Sequence, residues 1–184
     1  MRFTPTTASA SLAVLALAPT SAFAVDYMTV EQAAKQMFPD AERVEIRDWT
    51  LDGEALQKLT AMGVRPRSTR WMLRTAWRGK DLLGVMVADD VIGKFELISY
   101  AVGVSVDGRV RGIEILSYRE SHGNEIRLPA WRKQFVDKTI ASPIKIGEDI
   151  ANVSGATLSC SHVTEGVKRI VAVVDLARRS GVVG

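Results

Sequence analysis

Residues 71–78, Trp-Met-Leu-Arg-Thr-Ala-Trp-Arg, decide the fold of this 184-residue chain. Their period is two, since the first set alternates with the second: Trp71, Leu73, Thr75 and Trp77 with Met72, Arg74, Ala76 and Arg78. A period of two is typical of a β-strand, in which alternate side chains lie on opposite faces of the sheet. Gly79 follows at once, in a Gly-Lys-Asp turn that ends the strand. A single strand is not stable alone, so the segments that follow must supply its partners.

Three further strands are predicted after this turn, each bounded by residues that favour turns. Asp89-Asp90 is expected to end the second strand, and Asp107-Gly108 is a strong signal for a tight hairpin between the third and the fourth. Gly112 interrupts the apolar residues of the last strand, which indicates a twist or a bulge. The pattern predicts a four-stranded antiparallel meander, with the later strands at residues 82–88, 95–106 and 109–118.

A final helix is predicted to begin around Thr157. Its valines favour a strand, but a stripe at positions i, i+4, i+7, i+8 and i+11 outweighs propensity differences of about tenths of a kcal/mol each. Glu165 and Arg169, four residues apart, are predicted to form an outward-facing ion pair. The sequence thus predicts an α+β fold, in which an antiparallel sheet packs with this C-terminal helix and with N-terminal helices. The stripe consists of Val163, Val167, Ile170, Val171 and Val174.

The segment of residues 25–70 is predicted to be an α/β piece that covers one side of the sheet. Thr29 and Gln32 have the spacing of a capping box, which starts a helix that Pro39 ends. Three arginines near its end form either a solvated loop or a docking patch for an acidic partner. We therefore divide the chain into residues 1–24, 25–70 and 71–184, with a strand at 44–49, a second helix at 51–62, and the arginines at Arg65, Arg67 and Arg70.

The first 24 residues have the features of a secretory signal peptide. Arg2 supplies a positive charge, residues 12–18 form a short apolar run, and Ala22-Phe23-Ala24 is a small-x-small cleavage site. Such a run is far shorter than the ~20 residues that span a bilayer. We expect cleavage after Ala24 and export of the protein to the periplasm.

Composition argues against several other classes of protein. The chain has 24 basic and 21 acidic residues, a net charge of +3 that is too balanced to indicate binding to nucleic acid or to a membrane surface. Cys160 is the single cysteine, so no internal disulfide forms. Zinc needs three or four ligands, and the chain has one cysteine and two histidines in all. No metal site is therefore expected.

A short hydroxyl-rich turn, Ser154-Gly155-Ala156-Thr157, opens directly into the final helix, and Ser159 follows. Such a turn presents backbone N–H groups and a threonine hydroxyl at a helix N-terminus, where a phosphate is favoured. Taken alone, such a turn is more often an ordinary helix cap. The turn is therefore a candidate phosphate site whose meaning depends on its context.

The run from Ser154 to Ser159 resembles the flavinylation signature of the FMN-binding domain family, which includes the flavin subunits of Rnf-type and sodium-translocating NADH:quinone reductase complexes. In that family the threonine holds FMN covalently through a phosphoester bond, which a separate periplasmic flavin transferase makes from FAD with Mg²⁺. The resemblance implies that Thr157 is the attachment residue and that Ser154, Gly155 and Ala156 shape the turn. Ser159 is expected to contribute to the same cofactor site.

A second part of the resemblance lies upstream, within a likeness that covers about residues 83–174. Family members have a Glu-Thr-Pro-Gly-like loop, and here Glu120-Ser121-His122-Gly123 stands at that place, followed by Ile126 and then by Trp131 and Phe135, four residues apart. The resemblance implies that Glu120, Ser121, His122 and Gly123 flank the flavin. Trp131 and Phe135 are either core residues or a wall of the flavin pocket.

Two departures from the family pattern have consequences. Ala151 stands where the family often has an acidic residue, so either Asp149 takes over recognition by the transferase or attachment is less efficient. Ser121-His122 replaces Thr-Pro, which introduces a titrating group beside the flavin. The resemblance implies an exported electron carrier with a membrane or periplasmic redox partner. The alternatives are a non-redox accessory or binding domain of the same fold, and a small flavin reductase.

Overall fold

The structure, a computed structural model, describes residues 25–120 and 123–183. Its strands are β1 (Val25–Asp26), β2 (Arg43–Thr50), β3 (Arg70–Arg78), β4 (Asp81–Ile92), β5 (Leu97–Ser105) and β6 (Val110–Tyr118). They form one antiparallel sheet in the order β1-β6-β5-β4-β3-β2. Strands β2 to β6 follow one another as a meander, which confirms the predicted α+β fold with its antiparallel meander. The short β1 joins the far edge by pairing Val25 with Tyr118.

The helices are α1 (Val30–Met37), α2 (Gly53–Ala61), α3 (Pro129–Arg132) and α4 (Thr157–Arg179). Helix α4 begins at the predicted residue and lies across one face of the sheet, where it forms the main core. The predicted valine and isoleucine stripe is buried, with each side chain at most 1% exposed. The approach is close at Gly166, where a Cβ atom would lie 1.9 Å from the Tyr100 hydroxyl on β5.

Helix α1 covers the opposite face of the sheet. Its capping box is present: the Thr29 hydroxyl accepts from the Gln32 N–H at 3.2 Å, and the Gln32 side-chain oxygen accepts from the Thr29 N–H at 2.8 Å. This helix buries a smaller second core made of Ala33, Ala34, Met37, Phe38, Ala76, Met86, Ala101 and Leu116.

The segment of residues 25–70 does not cover one side of the sheet alone, as the sequence had predicted. It supplies α1 on one face, the edge strand β2, and α2 on the same face as α4. Leu59 of α2 is fully buried in the main core together with Val163 of α4. The prediction was wrong because the segment's two amphipathic helices lie on either side of the strand between them in sequence, and each packs on a different apolar face.

The predicted turn at Asp89-Asp90 is also wrong, because both residues belong to β4 and pair with β5. The Asp89 carboxylate accepts a hydrogen bond from the Tyr100 hydroxyl at 3.2 Å, so its charge is accommodated within the sheet. The chain reverses four residues later, where the Gly93 N–H donates to the Glu96 carbonyl at 2.8 Å. We call residues 93–96 the β4–β5 turn; Phe95 lies in this turn and not in a strand as predicted.

The ion pair that the sequence predicted for Arg169 on α4 is replaced in the structure by a different one. Its side chain faces inward, is 7% exposed overall, and places Nη1 3.3 Å from the Asp89 carboxylate. Its Nε also donates to the Arg65 carbonyl at 3.2 Å. The prediction of an outward pair with Glu165 was wrong because helical spacing alone does not show which charged residue faces a buried acid on another element.

Two predicted features lie outside the described residues: the signal peptide at residues 1–24, and Ser121 with His122. Among the described residues, none of the helices combines the length and apolar character needed to cross a bilayer.

Candidate functional site

The turn before α4 leaves the first helical amides uncapped. Gly155 has a φ of +82°, a left-handed conformation that glycine adopts without a steric penalty, and the Ala156 N–H closes the turn on the Val153 carbonyl at 3.0 Å. Ala156 is the N-cap residue and its side chain has no hydrogen-bonding atom. The helix therefore begins without the side-chain acceptor that serine, threonine or aspartate would provide, and its first N–H groups are available to another acceptor.

Thr157, the first residue of α4, is exposed beside this turn. The Asn152 side-chain amide donates a hydrogen bond to the Thr157 hydroxyl oxygen at 3.0 Å. This contact fixes the direction of the oxygen while its proton points elsewhere. The hydroxyl is thus oriented and accessible at the same time.

A cavity of about 290 Å³ opens next to Thr157. We call it the Thr157 cavity. Its wall combines the turn and first residues of α4 with the β4–β5 turn and one residue of the segment just after β6. The lining residues are Lys94, Phe95, Glu120, Gly155, Ala156, Thr157, Leu158 and Ser159.

The base of this region is a tightly packed contact between two loops. Gly123 has a φ of +86°, and a Cβ atom there would lie 2.6 Å from the Ala156 Cβ and 2.7 Å from the Tyr118 hydroxyl. The Tyr118 hydroxyl lies 3.3 Å from the buried Ser159 hydroxyl, and burial raises the pKa of Tyr118. Only glycine at position 123 lets the loop after β6 approach the turn before α4 this closely.

Glu120 is half-buried beside the cavity and faces the β4–β5 turn. One carboxylate oxygen accepts from the Phe95 N–H at 2.6 Å and from the Glu96 N–H at 3.0 Å. Partial burial raises the pKa of Glu120, but hydrogen bonds from the backbone N–H groups of the turn outweigh this effect, so the pKa lies below its ordinary value of 4.5. The carboxylate is therefore charged at neutral pH and bound to the backbone of the turn.

Residues 93–172 match the family model of the FMN-binding domain. The chain contains an FMN-binding domain. The match extends from the β4–β5 turn into α4 and so includes every described residue that lines the Thr157 cavity. It confirms the resemblance seen in the sequence.

One solved structure with a similar fold is that of NqrC from Shewanella oneidensis. The TM-score is 0.54 at 15% sequence identity, and the alignment covers 79% of this chain and 86% of that chain. At this identity the likeness concerns the fold. No curated protein matches the sequence.

Two side chains from the segment after β6 hold the backbone at Ala151, six residues before Thr157. Trp131 Nε1 donates to the Ala151 carbonyl at 2.9 Å, and the Ala151 N–H donates to the Gln134 side-chain oxygen at 2.7 Å. Trp131 and Phe135 are buried and meet edge to face at 5.0 Å, outside the residues that line the cavity. The sequence left two roles open for this pair, and the structure shows that both are core residues.

Asp149 is occupied within its own loop. Its carboxylate accepts from the Ile144 and Lys145 N–H groups and forms an ion pair with Lys138 at 2.8 Å. Burial raises the pKa of Asp149, but the bonds to these partners have the larger effect, so the pKa lies below its ordinary value. The carboxylate is therefore charged and held in place. The structure thus gives Asp149 a local structural role in the FMN-binding domain.

Most of the predicted site residues converge in the FMN-binding domain. Glu120, Gly155, Ala156, Thr157 and Ser159 line the cavity. Ser154 lies exposed in the turn, and Gly123 lies beneath it. Four residues of the region were not predicted from the sequence: Lys94, Phe95, Asn152 and Leu158.

Proposed function

We propose that this protein is an exported electron carrier whose FMN is attached covalently, through a phosphoester bond, to Thr157. The observation that carries this proposal is the oriented, exposed Thr157 hydroxyl at the uncapped start of α4, beside a cavity within an FMN-binding domain. Export rests on the features of residues 1–24. Cleavage after Ala24 would keep Val25 and Asp26, the described residues of β1, in the mature chain.

The residues present suit a phosphoester at this place. The N–H groups at the start of α4 lack a side-chain acceptor, and a negative charge at a helix N-terminus gains about 0.3–1 kcal/mol at an exposed site. Gly155 and Gly123 keep the turn compact, so that the backbone rather than a side chain faces the phosphate. Lys94 adds a positive charge on the cavity wall.

Attachment would use the Thr157 hydroxyl as the nucleophile, in a reaction catalysed by a periplasmic flavin transferase with FAD and Mg²⁺. The Thr157 oxygen forms a new bond to the phosphorus on the FMN side of FAD. The bond to the bridging oxygen breaks, AMP leaves with the electron pair, and the hydroxyl proton passes to a base. Asn152 donates to the attacking oxygen and so orients it without removing its proton.

The bound flavin would supply the redox chemistry, while the chain binds and orients it. Phe95 and Leu158 are 75% and 46% exposed on the cavity wall and offer apolar surface to the flavin ring. An open site of this kind suits electron exchange with a membrane or periplasmic redox partner better than enclosure of a substrate.

The test is the intact mass of the protein after secretion together with a flavin transferase. We expect a gain of one FMN less one water, lost in Thr157→Ala. The matched control is Ser161→Ala, which removes a hydroxyl one turn further along α4 and should keep the added mass. An unchanged mass in the wild-type protein, or an added mass that survives Thr157→Ala, would contradict the proposal. Steady turnover of a small acceptor by the isolated protein would favour a flavin reductase instead.

A further inference from the structure

The β4–β5 turn is fixed to other elements at both of its ends. His162 Nδ1 of α4 hydrogen-bonds the Ile92 carbonyl just before the turn. At the other end, the Glu120 carboxylate binds the N–H groups of Phe95 and Glu96. The turn thus has a defined position relative to α4, although the side chains of Lys94, Phe95 and Glu96 are exposed.

Gly93 makes room for the Glu120 carboxylate. A Cβ atom at position 93 would lie 2.5 Å from the Glu120 carboxylate oxygen and 3.1 Å from its Cγ. The carboxylate therefore lies directly against the backbone of the turn, in space that any other residue at this position would fill. One of its two oxygens is already shared between two N–H donors.

Phe95 is the most exposed large apolar side chain among the described residues, with 75% of its surface accessible. Its ring lines the Thr157 cavity, and Lys94 Nζ lies 4.9 Å from the ring centroid. Exposed aromatic surface of this size is unfavourable in water, and an aromatic ligand stacked on it would remove that cost.

We propose that Phe95 is a contact residue for the flavin ring, and that Glu120 is a positioning residue that acts on the flavin only through the β4–β5 turn. The contact between Phe95 and the flavin rests on the proposed function. The hydrogen bonds from Glu120 hold the backbone of Phe95 where its ring reaches the cavity. A change at Glu120 should then alter the flavin environment in the same way as loss of the Phe95 ring.

The first experiment uses the full chain without flavin and measures amide hydrogen exchange by NMR. Glu120→Ala should speed exchange at the Phe95 and Glu96 amides by about tenfold or more, as expected when a charged hydrogen-bond acceptor is lost. Glu125→Ala, which removes a nearby exposed carboxylate, should leave both rates unchanged. Unchanged rates in Glu120→Ala would overturn the positioning role whatever the cofactor.

The second experiment uses protein whose covalent flavin has been verified by intact mass, and measures quenching of flavin fluorescence by iodide. Phe95→Ala and Glu120→Ala should raise the quenching constant by the same factor, and the double variant should raise it no further. Additive effects would show that Glu120 contacts the flavin directly, and no change in Phe95→Ala would exclude the ring contact. If the wild-type protein takes up no flavin, the proposed function and the ring contact both fail, whereas the exchange experiment still decides the role of Glu120.

Discussion

Glu120 and Gly93 form a complementary pair of residues beside the Thr157 cavity. The glycine leaves the space and the carboxylate fills it, and the two hydrogen bonds to Phe95 and Glu96 are the result. The resemblance in the sequence implied that Glu120 flanks the flavin, and in the structure its carboxylate binds the backbone of the β4–β5 turn. The carboxylate shapes the wall of the cavity through the backbone of another segment.

The hydrogen bonds to Glu120 predict a dependence of the β4–β5 turn on pH. Because the pKa of Glu120 is depressed in the folded protein, its stabilising contribution is fully present above the ordinary value of 4.5 and is lost as the pH falls through the lower, folded-state pKa. We expect the amide proton shifts of Phe95 and Glu96 to move together below pH 4.5 in an NMR titration.

The control for this titration addresses the other charged groups near the carboxylate. Burial raises the pKa of Tyr118 above its ordinary 10.0, so this hydroxyl does not change charge in the range of the titration. Glu96→Gln removes the one further carboxylate within the turn and should leave the shifts in place. Glu120→Gln should abolish them, and persistence of the shifts in Glu120→Gln would contradict the assignment.

Helix α4 links the site to the core, since its first residue is Thr157 and its middle turns pack on the sheet. Gly166 lets the helix approach Tyr100 of β5, and three residues further on Arg169 is buried against Asp89 of β4. The helix is thus placed by one close backbone contact and by one ion pair to β4. The position of Thr157 follows from these contacts, which lie two or more turns away.

Gly166→Ala should destabilise the protein by about 1–3 kcal/mol, although alanine in a helix interior is usually favoured over glycine by about 1 kcal/mol. The added Cβ would lie 1.9 Å from the Tyr100 hydroxyl and 2.7 Å from its ring, and the fully buried tyrosine has no free space to enter. Urea unfolding would measure the change in the free energy of unfolding. Gly53→Ala, where a Cβ meets nothing within 4 Å, is the control and should not destabilise.

A partial rescue separates this clash from other effects of the substitution. Tyr100→Phe removes the atom closest to the new Cβ, so the combined variant should lose less stability than the sum of the two single changes. Strict additivity would show that the clash is relieved elsewhere.

The two faces of the sheet have different tasks in the whole molecule. One face packs against α4 and so supports the Thr157 cavity, whereas the other is covered by α1 around Phe38. The Phe38 ring fills space beside Gly84, where a Cβ atom would lie 2.6 Å from it. The second core therefore contributes to stability without contacting the described cavity residues.

Phe38→Ala should lower the free energy of unfolding by about 3–5 kcal/mol, because a ring that is 2% exposed leaves a cavity behind. Urea unfolding would measure this loss. The matched control is Phe95→Ala, the same truncation at a 75% exposed ring, which should change stability by no more than about 0.5 kcal/mol. Equal losses in the two variants would contradict the division of tasks between the faces.

Features that repeat over short distances were predictable from the sequence. The stripe of α4, the capping box of α1 and the alternation in β3 all depend on neighbours within a few residues, and the structure contains each of them. The prediction of a turn at Asp89-Asp90 was wrong because residue type alone cannot show that Tyr100 and Arg169 accommodate the Asp89 carboxylate within the sheet. The placement of Phe95 in a strand was wrong for the same reason, since the β4–β5 turn lies further along the chain than the turn predicted at Asp89-Asp90.

By itself, the sequence determined the α+β class, the start of the last helix at Thr157 and the likeness to an FMN-binding domain, because local periodicity and short motifs encode these features. Only the tertiary structure decided which residues meet at the cavity. Glu120 and Phe95 are 25 residues apart, and Arg169 and Asp89 are 80 apart. Contacts at such separations exist only once the sheet and α4 are packed, because folding brings together groups that no local pattern relates.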